Sequence, residues 1–345
     1  MTNTQTPASF VILGGSNSLL TNGWVDKLKQ IHPEPERIVN LSIGAATSAM
    51  GIYRLLTCTE LPENPVILWE YSLNEANYVL NRQSPAVLSY HLEWLLEICA
   101  RRGYRVLPVL LYNKAEATGA EKNPYRNALR QTLEGHRLTQ VDAQRLWRER
   151  FAHLDADRLY KENPHYSTET DFLATLAAEV IEAGSSARVP ARDPDLRQEF
   201  SGRDLQVVLP DIPASGTFTN RLLNCGLFPF RSDLPFSTAG RLLACYLIAT
   251  RAEPAILFQS SAGERGPYST QISPKEGGPL KQLKHLLLWS PKEPPLEVRG
   301  SLTLCPQAMN GRKPLVQHTM SWNPPAKDGA PGIGGLIGLL MEVDG

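Results

Sequence analysis

The sequence predicts an α/β fold, a doubly wound parallel sheet, followed by an all-β sandwich domain with a jelly-roll-like pattern. Three observations lead there. From residue 1 to about 183, short and nearly continuous apolar runs alternate with longer helix-periodic stretches. The small, charged, proline-bearing stretch GSSARVPARDPDLRQ (184–198) then interrupts the pattern and reads as a linker. Beyond it helical periodicity fades, and short β-prone runs follow one another, separated by Pro, Gly, Asn and Ser. The expected organisation is residues 1–183, a linker over 184–198, and a β-domain over 199–345.

The elements follow in order. FVILG (10–14), RIVNLS (37–42), PVILWEYS (65–72), YRVLPVLLY (104–112) and RLTQVDA (137–143) are the expected strands. They are rich in Val, Ile, Leu and Tyr without strict alternation, as strands covered on both faces require. Helices are expected at about 20–31, 46–57, 86–102 and 123–135. In the third of these, Leu88, Leu92, Leu95, Leu96 and Cys99 recur at helical spacing. Ser84 is placed to cap it, Pro85 suits its first turn and Gly103 can end it. A last helix within 167–184 carries Phe172, Leu173, Leu176, Val180 and Ile181 on one face, and Thr168 and Asp171 have the spacing of a capping box. After residue 199 the expected strands are LQVVLPD, RLLACYLIAT, AILFQSS, HLLLWSP, LEVRGSLTLC, LVQHTMSW and GIGGLIGLLMEV.

Composition excludes several functions. Formal net charge is +0, which gives no electrostatic footprint for nucleic acid or an anionic membrane. No apolar run reaches the length of a membrane span, and MTNTQTPASF has no secretory character. The five cysteines are widely spaced and form no CxxC or Cys/His cluster, so neither a disulfide framework nor a metal site is expected. A soluble, cytoplasmic chain is the expectation.

In a parallel sheet, ligands bind at the carboxyl ends of the strands. After the first strand comes Gly14-Gly15-Ser16-Asn17-Ser18. After the second comes NLSIGAA with Gly44, and at the third EYSLNEAN with Asn74. Just before the last helix lies YKENPHYS, with Glu162 and His165 three apart. Acyl transfer uses such a set. Serine becomes a nucleophile when an adjacent base takes its proton, and histidine is the usual base. A carboxylate holds the imidazole tautomer. The Ser16 N–H, the Gly44 N–H and the Asn74 amide are candidate donors to the oxyanion.

These four stretches resemble the blocks of the SGNH (GDSL-type) hydrolase superfamily. GGSNS resembles the first block, with Gly15 where the family usually has aspartate. Gly44 matches the second-block glycine. SLNE resembles the third, with Asn74 in place and Glu75 where aspartate is common. YKENPHYS resembles the last, with His165 in place and Glu162 at the usual aspartate. The resemblance spans residues 8 to 183 and implies a three-layer α/β/α fold. It also implies Ser16 as nucleophile, His165 as base, Glu162 orienting it, and Ser16, Gly44 and Asn74 as the oxyanion hole. It favours Ser16 over Ser18.

Each residue also has a simpler reading. Gly14-Gly15 can be a plain strand-to-helix turn with a serine cap, and Asn74 a turn residue. His165 can be structural, as His32, His91, His136, His153, His285 and His318 are taken to be. Asp155 and Asp157 are rival acids. Trp289, Trp322, Tyr268 and Phe258 can stack on sugar rings but suit a sandwich core better. The expected function is a serine esterase acting on O-acyl groups, O-acetyl above all, of a carbohydrate or polysaccharide, with no metal or bound cofactor. An O-acetyltransferase of a bacterial surface polysaccharide, with acetyl-CoA as co-substrate, uses the same residues. A non-catalytic carbohydrate-binding or scaffold protein is the third reading.

Overall fold

The computed structural model describes residues 7–191, 198–250, 254–271, 281–307, 313–317 and 334–345. The chain divides into two compact units, Met1–Glu199 and Phe200–Gly345.

The first unit holds a five-stranded, all-parallel sheet of β1 (Phe10–Gly14), β2 (Ile38–Asn40), β3 (Val66–Glu70), β4 (Arg105–Leu110) and β5 (Val141–Asp142), in the order β2-β1-β3-β4-β5. Every residue of β1 and β3 is buried, which accounts for their unbroken apolar runs. Helices α1 (Trp24–Ile31), α2 (Ser48–Thr57), α3 (Ser72–Leu80), α4 (Pro85–Arg101), α5 (Lys114–Ala117), α6 (Tyr125–Gly135), α7 (Ala143–Arg150), α8 (Ala156–Leu159) and α9 (Phe172–Ser186) connect and follow the strands. They form two packed sets. Helices α1 and α7 lie against α9, while α2 and α6 lie against α4. The strand order reverses between β1 and β3, so the crevice of this doubly wound sheet opens at their carboxyl ends.

Some sequence signals act differently from expectation. Ser84 sits at the N-cap of α4 with Pro85 in the first turn, but its side chain makes no capping bond. Gly103 takes φ +69° past the end of that helix, the left-handed conformation that favours glycine. The Thr168–Asp171 capping box does not form. Asp171 is itself the N-cap of α9, and its side chain makes no cap bond. Helix α9 continues to Ser186, past the residue at which a linker was expected to begin; 192–197 lie outside the described residues. Helix α3 has no counterpart in the periodicity because Ser72, Leu73, Asn74, Glu75, Ala76 and Tyr78 are all buried, which leaves no polar stripe. A short antiparallel hairpin, β6 (Tyr160–Glu162) and β7 (His165–Tyr166), precedes α9.

The second unit is built of antiparallel strands. One sheet contains β8 (Arg203–Val208), β9 (Gly216–Thr219), β10 (Asn224–Pro229), β12 (Ala239–Ala249), β15 (Gln282–Leu287), β16 (Leu296–Arg299) and β18 (Gly335–Asp344). The other contains β11 (Leu234–Phe236), β13 (Ala255–Ser260), β14 (Gly263–Ser269) and β17 (Leu302–Gln307). Phe228, Leu242, Leu247 and Leu339 of the first sheet share one core with Phe236, Ile256, Phe258 and Leu304 of the second, which makes the unit a sandwich. Phe258 and Tyr268 belong to that core, Trp289 is half-buried, and His318 and Trp322 lie outside the described residues. Among the described residues, no helix is long and apolar enough to cross a membrane.

Candidate active site

Strand β1 ends where two side chains would have to vanish, and two glycines stand there. In the sheet register Gly14 lies beside Glu70 of β3. A Cβ on Gly14 would sit 2.5 Å from Ser18 Oγ and 2.7 Å from Glu70 Oε2. A Cβ on Gly15 would sit 2.5 Å from Asn74 Nδ2 and 2.7 Å from Asn74 Oδ1. Gly15 has φ −89°, so it is glycine for space and not for backbone freedom. The chain then enters a single 3-10 turn, Ser16–Leu19, closed by the bond from Ser18 N–H to Gly15 O at 3.2 Å. Ser16 is its first residue and is half-buried, while Asn17 and Ser18 are buried.

The β6–β7 hairpin brings the imidazole to this turn. His165 Nε2 lies 2.8 Å from Ser16 Oγ, and His165 Nδ1 lies 2.9 Å from Glu162 Oε1. With Nδ1–H donating to the carboxylate, Nε2 is left as acceptor for the serine hydroxyl. The imidazole is 12% exposed and the Glu162 side chain 63% exposed. Water therefore weakens the attraction between Glu162 and the imidazolium that forms once Nε2 takes a proton.

Asn17 fixes the approach. Its Nδ2 donates to Pro164 O at 3.2 Å and its Oδ1 accepts from Tyr166 N–H at 3.1 Å, so one buried amide holds the main chain on both sides of His165. Tyr160 and Tyr166 anchor the hairpin below. Their hydroxyls meet at 3.1 Å, and the Tyr166 ring stacks on Phe172 of α9 with centroids 5.5 Å apart.

Gly44 lies against the Ser16 turn. A Cβ placed on it would be 3.7 Å from Ser16 Cβ, an ordinary contact. The N–H groups of Ser16 and Gly44 donate to no group among the described residues. The loop after Gly44 is strained, since Ala45 takes φ +54°. Three side chains of α3 hold it. Tyr78 OH donates to Ala45 O at 2.9 Å, and Asn74 Nδ2 donates to Ala46 O at 2.9 Å. Glu75 Oε1 accepts the Ser48 N–H at 2.7 Å, at the start of α2. The Asn74 amide spends one N–H on Ala46, and its second remains for a ligand.

Two buried carboxyls support these segments. Glu70 accepts the Gly15 N–H at 2.9 Å and the Ser18 hydroxyl at 2.7 Å, both on Oε2. Glu75 accepts the Tyr125 hydroxyl on its other oxygen. Burial pushes each up to about 7, against the lowering effect of those hydrogen bonds. The rival acids serve elsewhere. Asp155 caps α8 by accepting the Arg158 N–H, and Asp157 pairs with Lys114. His91 is buried with Nδ1 on Val87 O, and His136 pairs with Glu93.

No protein-family model matches the sequence, and no curated protein is significantly similar to it. Among solved structures, a two-domain esterase active on acetylated mannans aligns over 98% of this chain and 92% of its own, with a TM-score of 0.59 at 10% identity. The two chains share a fold. The likeness covers both units, the parallel α/β unit and the β-domain, and it agrees with the architecture that the SGNH resemblance implies. A lipase/acylhydrolase from Enterococcus faecalis aligns over 54% of this chain and all of its own (TM-score 0.39, 18% identity). A member of the lipolytic G-D-S-L family from Veillonella parvula aligns over 51% and 97% (TM-score 0.40, 12% identity).

Within that fold the structure brings together all five residues singled out from the sequence: Ser16, Gly44, Asn74, Glu162 and His165. Sequence reasoning missed Asn17, Glu70 and Tyr78. Asn17 carries a signal, as a polar residue beside a candidate nucleophile. Glu70 carries one too, as a carboxylate ending a strand otherwise wholly apolar.

Proposed function

We propose that the chain is a serine esterase of the SGNH type that removes O-acyl groups, O-acetyl in particular, from a carbohydrate. The observation that carries this reading is the continuous relay Ser16 Oγ–His165 Nε2 at 2.8 Å and His165 Nδ1–Glu162 Oε1 at 2.9 Å, located at the crevice of the parallel sheet. The carbohydrate is supported by the activity of the two-domain esterase of like fold on acetylated mannans.

The chemistry follows from the positions. Ser16 Oγ attacks the ester carbonyl carbon as its proton passes to His165 Nε2. The carbonyl oxygen becomes an oxyanion that the Ser16 N–H, the Gly44 N–H and the free N–H of Asn74 stabilise. One such donor contributes about 3–4 kcal/mol. Collapse breaks the bond to the sugar oxygen, which takes the proton from His165. The acyl-serine is then attacked by water, with His165 accepting its proton, and acid and Ser16 are released. Glu162 favours the tautomer with Nδ1–H and steadies the imidazolium.

The test is acetate release from acetylated mannan and from 4-nitrophenyl acetate by the wild type and by Ser16→Ala. Turnover abolished by Ser16→Ala supports the reading. Acetyl-CoA consumption that depends on an added polysaccharide acceptor, without acetate release, would assign the same residues to acyl transfer.

A further inference from the structure

We propose that Glu70 is a positioning residue for the Ser16 turn, supplying from the neighbouring strand a carboxylate that position 15 has no room to carry. The inference rests on the reading of Ser16 as the nucleophile.

Space decides the first half. Any side chain at residue 15 begins with a Cβ, and that atom would lie 2.5 Å from Asn74 Nδ2. An aspartate there is therefore incompatible with Asn74 in its observed place, and the turn must be ordered from elsewhere. Glu70 is the last residue of β3 and lies directly across from Gly14. Gly14, with no side chain, leaves the volume that the Glu70 carboxylate and the Ser18 hydroxyl fill. The two glycines thus answer to two different neighbours: Gly14 admits Glu70, and Gly15 admits Asn74.

Hydrogen bonding decides the second half. Glu70 Oε2 receives the Gly15 N–H at 2.9 Å and the Ser18 hydroxyl at 2.7 Å. These groups come from the residue before Ser16 and the residue two after it, so Ser16 is suspended between two points pinned to one oxygen. The Gly15 N–H bond to Glu70 fixes the Gly14–Gly15 peptide, and the Gly15 C=O, which accepts the Ser18 N–H at 3.2 Å, fixes the next peptide, whose Ser16 N–H keeps no partner among the described residues. Nucleophile and oxyanion donor thus belong to one turn that Glu70 holds on both sides.

The carboxyl is an expensive way to hold a turn, which argues that the turn matters. Glu70 is 1% exposed, and its Oε1 has no hydrogen-bond partner among the described residues. Burial raises the group to about 7. A proton taken up at neutral pH settles on the unused Oε1 and leaves Oε2 accepting both bonds. The clamp consequently holds in either protonation state, and a glutamine at residue 70 reproduces the protonated form through its amide oxygen.

The experiment measures turnover of 4-nitrophenyl acetate and the second-order rate of fluorophosphonate labelling at Ser16, with urea unfolding as a check on folding. Variants are Glu70→Ala, Glu70→Gln and Ser18→Ala. Glu70→Ala is expected to lower kcat and the labelling rate by about 100-fold at unchanged KM, the scale of a misplaced reacting group. Glu70→Gln restores most of both rates, and Ser18→Ala, which removes one of the two bonds, costs about tenfold. Folded Glu70→Ala at the wild-type rate, or Glu70→Gln as slow as Glu70→Ala, overturns the proposal. If Glu70→Ala does not fold, Ser18→Ala at the wild-type rate overturns it. A wild type that labels at Ser16 while all variants label equally fast removes this inference alone. A folded wild type that does not label removes the nucleophile reading beneath it.

Discussion

Gly15 and Asn74 are packed so closely that a single methyl group cannot come between them: a Cβ on Gly15 would lie 2.5 Å from Asn74 Nδ2 and 2.9 Å from its Cγ. The backbone at Gly15 is in an ordinary extended region, so alanine meets no torsional obstacle there. Gly15→Ala is therefore expected to fold and to displace the Asn74 amide from the site. Loss of one oxyanion donor lowers kcat by about 10²–10³ with little change in KM. Steady-state kinetics on a small acetyl ester check this, and an unchanged kcat contradicts the assignment of Asn74.

Asn17 governs the distance between the two halves of the relay. Its amide holds Pro164 O and Tyr166 N–H, on either side of His165. Asn17→Ala removes two buried hydrogen bonds and leaves their partners unsatisfied, for a loss of about 2–3 kcal/mol. It also frees the hairpin, so kcat is expected to fall at least as far as stability. Urea denaturation combined with turnover of the folded fraction separates the two effects. Full activity per folded molecule would show that the hairpin keeps its place without Asn17.

Glu162 is expected to contribute less than its place in the relay suggests. Its side chain is 63% exposed, so solvent screens its attraction for the imidazolium. Glu162→Gln keeps an acceptor for Nδ1–H and is expected to lower kcat by less than about tenfold, whereas His165→Ala costs about 10⁴ or more. Parallel kinetics of the two variants decide this, and equal losses contradict it.

Stability carries the signature of the two buried carboxyls. Glu70 and Glu75 are raised from an ordinary 4.5 to about 7 by burial. Between these values the folded state binds more protons than the unfolded chain, so stability falls as pH rises from about 4.5 to about 7. Below 4.5 both states are protonated, and the slope from these groups vanishes. Linkage puts the loss at about 3 kcal/mol per carboxyl, as an order of magnitude. Glu75→Gln and Glu70→Gln should each flatten the profile of urea-unfolding free energy across that window. An unchanged slope in both variants contradicts the shifts.

The α/β architecture was legible because buried strands such as β1 and β3 are continuous apolar runs and because Leu88, Leu92, Leu95 and Leu96 mark one face of α4. The candidate site was legible as far as its candidate residues lie at strand ends: Ser16 after β1, Gly44 after β2, Asn74 after β3. Helix α3 was not, because burial on several sides erases the amphipathic stripe on which periodicity depends. Nor was α7, where only Ala143 and Leu146 among its eight residues are buried. The Thr168–Asp171 spacing misled because a capping box is a local pattern, and here the helix starts one residue after Asp171. Asn17 and Glu70 stayed hidden for a different reason. Their roles consist of contacts across 147 and 55 residues of chain, which no local spacing encodes.

The central claim is that Ser16 is an activated nucleophile. Intact-protein mass spectrometry after treatment with a fluorophosphonate tests it most directly. One adduct per chain, mapped to Ser16 and absent from folded Ser16→Ala and His165→Ala, is the predicted result. An unmodified, folded wild type, or an adduct that persists in Ser16→Ala, would contradict the claim.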